Sequence, residues 1–346
     1  MKNTFIAVAA ALACSGAAYA QSNVQLTGLM DMYAGSMKAP GGERSGQVGS
    51  GGMTTSWWGL KGTEDLGSGL KADFNLTAFF RGDTGTPGRF NGDPFFSRDA
   101  NVGLSGSFGR VGLGRDKAPN FLPTILFNPF TISPLVLHAN VGTGAWGKNN
   151  LTSPADTGWS NQIIYSTPSF GGLKANVHYQ FGEQTAQGNK SKKNVGLNVL
   201  YGAGPLSLVA FYERSQINNP VVLDVRPTKT DWMVGGTYDF KVVKLYGTYG
   251  QSKGKDTFAA TEDRKNKTYS LGLDVPVSTV GTIKAAGART KSELGNVDAT
   301  RTTYTVGYDH FLSKRTDVYG AVMYDRIKFA ESKSGTSVVA GIRHRF

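Results

Sequence analysis

The chain has 346 residues, 46 of them glycine, with 11% aromatics, a single cysteine and a formal net charge of +12. One cysteine excludes a disulfide framework, and no apolar run long enough for a helical membrane span follows the first twenty residues. The mean hydropathy of −0.26 still permits a membrane barrel, in which only alternate residues meet lipid.

Met1 to Ala20 has the form of a secretory signal, with Lys2 as the positive start, Phe5 to Ala13 as the apolar core and Ala18-Tyr19-Ala20 as the cleavage site. Ala11-Leu12-Ala13-Cys14 matches a lipoprotein box only loosely, because Ala11 stands where Leu is usual, so cleavage after Ala20 is preferred. The expected mature chain, 21–346, is one domain of 326 residues without cysteine and with a net charge of +11, Lys2 being the only charge removed. Such an excess suits nucleic acid, anionic lipid or an anion pathway. Export, and the lack of a basic helix, argue against nucleic acid.

The next elements read as strands. Leu70, Ala72, Phe74, Leu76, Ala78 and Phe80 share one face of 70–81, and Lys71, Asp73, Asn75, Thr77 and Arg81 share the other with Phe79. A period of two means a strand with one apolar and one polar face. Similar alternation marks 23–34, 172–182, 193–202, 206–214, 242–250, 267–275, 301–310, 316–326 and 336–346. Short turns are expected at 65–69, 105–110, 170–172, 202–205, 239–241, 276–281 and 312–314. Longer polar loops are expected near 37–53, 82–95, 117–158, 183–192, 217–229, 253–265, 292–300 and 328–335. Seven short and eight long connections join sixteen strands, with both termini on the short-turn side. An open sheet in a bilayer leaves edge groups unsatisfied, so the expected fold class is all-β, a closed 16-stranded antiparallel transmembrane β-barrel. Its lumen is too wide for side chains to fill.

Residues 117–158 do not alternate. Pro119, Pro123, Pro129 and Pro134 exclude a central strand and a long helix, yet the stretch is rich in Phe, Leu, Ile and Val. It is too long for a plain connection and is expected to fold into the lumen and narrow it. Phe127 and Phe130 are expected to pack against the wall.

Enzyme motifs do not hold up. Gly142 to Lys148 spells G-x-x-x-x-G-K, but Asn149 replaces the Ser/Thr that holds magnesium. His138, His178, His310 and His344 lack metal-ligand spacing, and no Ser/His/Asp set is legible. Arg81-Gly82-Asp83 is read as a solvated loop start rather than an adhesion tripeptide. No catalysis, cofactor or metal is implied.

Several segments resemble the general outer-membrane porins of β-proteobacteria. They are Trp58 to Gly67, Ser97-Arg98 with Val102 to Gly106, Leu113-Gly114-Arg115, Tyr308 to Tyr319, and Gly341 to Phe346. The resemblance covers the mature chain. It implies a homotrimer of sixteen-stranded barrels whose third external loop folds inward, a C-terminal Phe346 read by the barrel assembly machinery, and outer-membrane lipid around the barrel. Such porins usually carry a ladder of lumenal arginines opposed by acids. Here Arg98 and Arg115 keep family positions, but Trp57 and Ile164 stand where Arg is common, Thr77 stands where Glu is common, and the inserted segment has one acid, Asp156.

The expected constriction is therefore apolar and weakly basic, with Lys61, Lys71, Arg81, Arg98, Arg115 and Lys117 biasing it towards anions. Lumenal positions are favoured for Arg81, Arg115 and Trp57, with rim or girdle positions as the alternative. Arg98 shares parity with Ala100, Val102 and Leu104, so that face is either lipid-side or lies under the inserted loop. Asp99 and Asn101 would then suit a subunit interface. The function read from these residues is passive diffusion of small anionic or neutral solutes. The alternatives are a porin biased towards small carboxylates, aromatic ones among them, and a barrel adhesin.

Overall fold

A computed structural model describes residues 23–131, 158–183, 192–217, 225–255, 263–294 and 297–346. The first half of the chain forms β1 (Asn23–Met37), β2 (Ser45–Ser50), β3 (Trp57–Gly67), β4 (Leu70–Arg81), β5 (Thr86–Pro87), β6 (Asp99–Gly106), β7 (Gly109–Lys117), α1 (Phe121–Leu126), β8 (Gly158–Ser166) and β9 (Leu173–Phe181). The second half forms β10 (Lys193–Ala203), β11 (Leu206–Ile217), β12 (Val225–Asp239), β13 (Lys244–Lys255), β14 (Asp263–Pro276), β15 (Gly281–Leu294), β16 (Val297–Phe311), β17 (Thr316–Lys328) and β18 (Ser332–Arg345). Two of the eighteen, β2 and β5, are short additions to β1 and β4; the other sixteen pair in sequence order.

Closure is made at β1. One edge pairs with β3 from Asn23↔Thr63 to Leu29↔Trp57, and the other pairs with β18 from Leu29↔Arg345 to Ser36↔Val338. Gly28 and Phe346 exchange backbone hydrogen bonds of 2.8 and 3.1 Å, which ties the two ends of the chain together. Every pairing is antiparallel, and among the described residues the sixteen long strands close into a ring without an open edge, as a bilayer requires.

The strands are apolar outside and polar inside. In β17, Asp317, Tyr319, Ala321, Met323 and Asp325 are buried, while Val322 and Tyr324 lie exposed between them. In β10, Asn194 and Asn198 are buried and Leu197 is exposed. A soluble sheet buries its apolar face. The reverse pattern places the apolar faces against lipid and the polar ones against the lumen.

The structure corrects three details of the sequence reading. Connections 292–300 and 328–335 are tight, since β15 ends at Leu294 and β16 begins at Val297, and β17 and β18 are separated only by residues 329–331. Where both faces of a strand meet water, alternation disappears while the backbone ladder continues, so the polar ends of these strands resembled loops. Asp99 and Asn101 point inward, and Val102 and Leu104 point outward at 56% and 47% exposure. The 37–53 connection holds β2 and then a buried inward turn at Gly51–Ser56.

Candidate functional site

The first polar cluster lies on the inner face of β3, β4, β6 and β7. Its centre is Asp99, which accepts from Lys117 Nζ at 2.6 Å, Arg98 Nη1 at 2.8 Å and Thr77 Oγ1 at 2.9 Å. Lys117 also reaches Asp116 at 3.3 Å. The Arg98 guanidinium lies 3.9 Å from the centre of the Trp57 ring, a cation–π contact worth about 1–2 kcal/mol in a partly desolvated setting. Arg98 precedes the first residue of β6, so strand parity does not bind it and its side chain turns inward. One step further along, Arg110 donates to Asp73 at 2.6 Å and to Asn101 at 2.9 Å, and Asn101 accepts from Asn75 at 3.2 Å.

Arg115 is placed differently. The register between β7 and β8 shifts between Gly114 and Asp116, and Arg115 shares the parity of the exposed Val111 and Leu113. It is nonetheless buried, with Nε donating to the Ser97 carbonyl at 2.8 Å and Nη1 donating to Ser160 Oγ at 2.9 Å. The chain before β6 thus covers it from outside.

A second cluster lies on β14 to β18. Arg343 donates to Asp317 at 2.6 Å, to Asp309 at 3.0 Å and to Thr54 at 3.1 Å, and Arg345 joins Asp317 at 2.6 Å. Lys284 pairs with Asp274 at 3.1 Å. These groups edge a cavity of about 410 Å³ in which Lys241, Lys244, Lys284 and Arg343 meet Asp239, Asp274 and Asp309. Pro129 and Thr131 line it as well.

The described start of the proline-broken segment runs along inward side chains. The carbonyl of Pro119 accepts from Asn198 at 3.0 Å, and Asn120 donates to Glu213 at 3.1 Å. Pro123 falls in the first turn of the six-residue α1, where its missing N–H costs little. Phe127 packs with Val209, Phe211 and Met233; Phe130, fully buried, packs with Tyr33, Met53, Tyr319 and Val339.

Glycines make room for this path. A Cβ on Gly196 would lie 2.6 Å from Pro119, and one on Gly272 would lie 2.5 Å from Pro129. The path ends at a latch, where Thr131 Oγ1 donates to the Met53 carbonyl. Asp31 holds the other side of that latch by accepting from Met53 N at 2.9 Å, Thr54 N at 2.7 Å and Tyr319 OH at 2.7 Å.

The remaining sequence candidates are dispersed. Trp57 lies under Arg98, while Lys61 and Lys71 are exposed towards the short-turn end of β3 and β4. Arg81 donates to Asn91 at 2.9 Å. Phe346 is exposed and covers Gly28. Asp156, His138, Gly142 to Lys148 and the signal 1–20 lie outside the described residues. The structure thus brings Arg98, Lys117 and Trp57 together, and among the described residues no hydrogen bond or ion pair joins them to Lys61, Lys71 or Arg81. Sequence reasoning missed Asp99, Asp73, Arg110, Asp309, Asp317 and Arg343 as lining groups. For four of them the signal was parity: Asp99 alternates with the exposed Val102 and Leu104, Arg110 with Val111, Asp309 with Tyr308 and Arg343 with Ile342.

The chain matches the family model of the Gram-negative porins over residues 7–329. It is 35% identical to outer membrane porin protein 32 of Delftia acidovorans over 369 aligned residues, covering 100% of both chains. It is 28% identical to an outer membrane porin protein of Bordetella pertussis, again covering 100% of both. Among solved structures it resembles an anion-selective porin from Comamonas acidovorans at 32% identity and a TM-score of 0.76, covering 94% of this chain and 100% of that one.

Proposed function

The chain belongs to the Gram-negative porin family, and on that premise we propose that its outer-membrane channel is narrowed by residues 117–158, passes small hydrophilic solutes with a weak anion preference, and assembles as a homotrimer. One observation carries the narrowing. From Pro119 to Thr131 the segment is bonded or packed to inward side chains of β10, β11, β17 and the 51–56 turn.

The anion preference rests on a small cationic excess. Arg98 and Lys117 are offset by Asp99 and Asp116, and Arg110 is offset by Asp73. In the cavity edged by the second cluster four cations face three acids. A unit charge at about 6 Å is worth roughly 3 kcal/mol at an effective dielectric near 20. Screening over about 10 Å at 0.1 M salt, together with the acids, reduces this to a modest preference. In a planar bilayer under a tenfold potassium chloride gradient, the reversal potential takes the sign of chloride selectivity. A potential of the opposite sign rejects the reading.

A bias towards small aromatic carboxylates has one specific support, the pairing of the Arg98 guanidinium with the Trp57 ring. It offers a charge and an aromatic face together. Benzoate at millimolar concentration then interrupts single-channel current while acetate does not; equal behaviour of the two leaves general diffusion as the function.

A further inference from the structure

We propose that the cavity of about 410 Å³ at the short-turn end of the lumen binds a zwitterionic α-amino acid, its carboxylate at Lys241 and Lys244 and its ammonium at Asp274 and Asp309. The site rests on the reading of the lumen as a solute path and adds to it a solute class that anion preference does not select.

Strand register lays out the charges. Asp239 on β12 stands opposite Lys244 on β13, Lys244 opposite Asp274 on β14, and Asp274 opposite Lys284 on β15. Residues directly opposite share a face, so the inner wall alternates acid and base from strand to strand. Asp309 follows on β16, two residues from Gly307, the partner of Lys284. Lys241 lies in the short turn after Asp239, and its N–H donates to Asp239 Oδ1 at 2.7 Å. Met53, Pro129 and Thr131 bound the cavity on another side. Pro129 lies against Gly272, which is two residues from Asp274 on the same face of β14. On the proposed path a solute leaving the narrowed stretch meets this wall next.

The wall leaves both signs of charge incompletely matched. Asp274 accepts from Tyr246 OH at 2.9 Å and from Lys284 Nζ at 3.1 Å, both at Oδ2, and its Oδ1 is buried without a donor. Asp309, 3% exposed, accepts from Arg343 at 3.0 Å through Oδ2, and its Oδ1 is likewise buried without a donor. A buried acceptor without a donor keeps its desolvation penalty. The terminal torsion of a carboxylate is broad, so either group turns readily towards a donor in the cavity. Among the described residues Lys241 and Lys244 form no ion pair. Lys244 lies 5.0 Å from the centre of the Tyr246 ring, a contact that does not neutralise its charge.

A plain anion satisfies the two lysines but faces the aspartates and gives them no donor. A plain cation meets four cationic side chains. A solute with both charges on one small frame satisfies each sign and bridges strands about 4.8 Å apart. The cavity also falls within the usual size of small-molecule sites, about 300–1,000 Å³.

The test reads binding by saturation-transfer NMR on the protein in neutral detergent, which needs no conducting channel. The probes are L-glutamine, N-acetyl-L-glutamine, which lacks the ammonium, and L-glutaminamide, which lacks the carboxylate. Loss of a charge-assisted hydrogen bond weakens binding by about tenfold, so the second and third probes bind about tenfold more weakly than the first. K241Q/K244Q loses glutamine affinity by about the same factor and keeps the wild-type affinity for glutaminamide. D309N loses glutamine affinity and binds N-acetylglutamine no worse than wild type does; D274N makes the same test where D309N fails to fold. K174Q removes a lysine from the short-turn end of β9, three strand spacings or about 14 Å from β12, and stays within about twofold of wild type. Equal binding of the three probes overturns the proposal, as does wild-type glutamine affinity in K241Q/K244Q. Tighter binding of N-acetylglutamine than of glutamine assigns the cavity to plain anions and also overturns it. The reversal potential tests the diffusion reading separately, so a chloride-selective channel that does not discriminate the three probes rejects this site alone.

Discussion

Two arginines that look equivalent in the sequence sit in opposite roles. Arg98 faces inward over Trp57 and shares Asp99 with Lys117, whereas Arg115 is buried under Ser97 and Ser160. Their substitution by glutamine is therefore predicted to separate two effects. Arg98→Gln moves the reversal potential in a salt gradient towards neutral and leaves thermal stability nearly unchanged. Arg115→Gln leaves the potential alone but costs about 2–4 kcal/mol, because charge-assisted hydrogen bonds are lost and the Ser97 carbonyl is stranded. A drop in the unfolding temperature of the detergent-solubilised protein reads that cost. Asp99→Asn acts in the other direction: it leaves Arg98 and Lys117 less compensated, so anion preference rises above wild type. No change in reversal potential with Asp99→Asn would mean that this cluster lies off the ion path.

The proline-broken segment is held by a few large side chains and by gaps in the wall. Phe130 is fully buried among residues from β1, β15, β17 and β18, with Met53 of the inward turn. Its truncation to alanine is predicted to remove about 3–5 kcal/mol of packing. The strands keep their ladders, so the barrel persists and the segment loosens. Phe130→Ala then shows a larger and noisier single-channel conductance with unchanged β content by circular dichroism. Gly272→Val meets the same segment from the wall side. Its branched side chain occupies the space now filled by Pro129 and displaces the segment, with the same conductance signature. If both variants conduct as wild type does, the segment does not set the narrowest point.

At the scale of the whole molecule, the strand lengths are uneven. β6, β7, β8 and β9 have 8 or 9 residues each, whereas β12 and β14 to β18 have 13 to 15. A short wall suits burial against other subunits, and a tall wall suits contact with lipid and solvent. Homo-oligomers favour closed symmetry, and three barrels joined at their short walls satisfy it. Cross-linking in mild detergent is predicted to give a ladder ending at the trimer that collapses on boiling. A monomer at every detergent concentration contradicts that assembly.

The closed sixteen-stranded barrel was legible in the sequence because a period of two, repeated between Gly-rich turns, forces each strand to have two unlike faces, and a bilayer forbids a free edge. The prolines at 119, 123 and 129 likewise set the character of the segment they interrupt, since they forbid a strand or a long helix whatever surrounds them. Which face of a given strand met water was less secure. A slip of one residue inverts every side chain, and at Asp99 and Asn101 the polar residues suited either a lumen or an interface. Tertiary structure alone decided that Arg98 escapes its strand's parity, that Arg115 is covered by the chain before β6, and that Asp31 and Arg343 meet Thr54 from positions up to 289 residues away. Periodicity is a local property and reports which residues share a face. Ion pairs between distant strands depend on where the ring closes and how far each strand is staggered, and no short stretch of sequence contains that information.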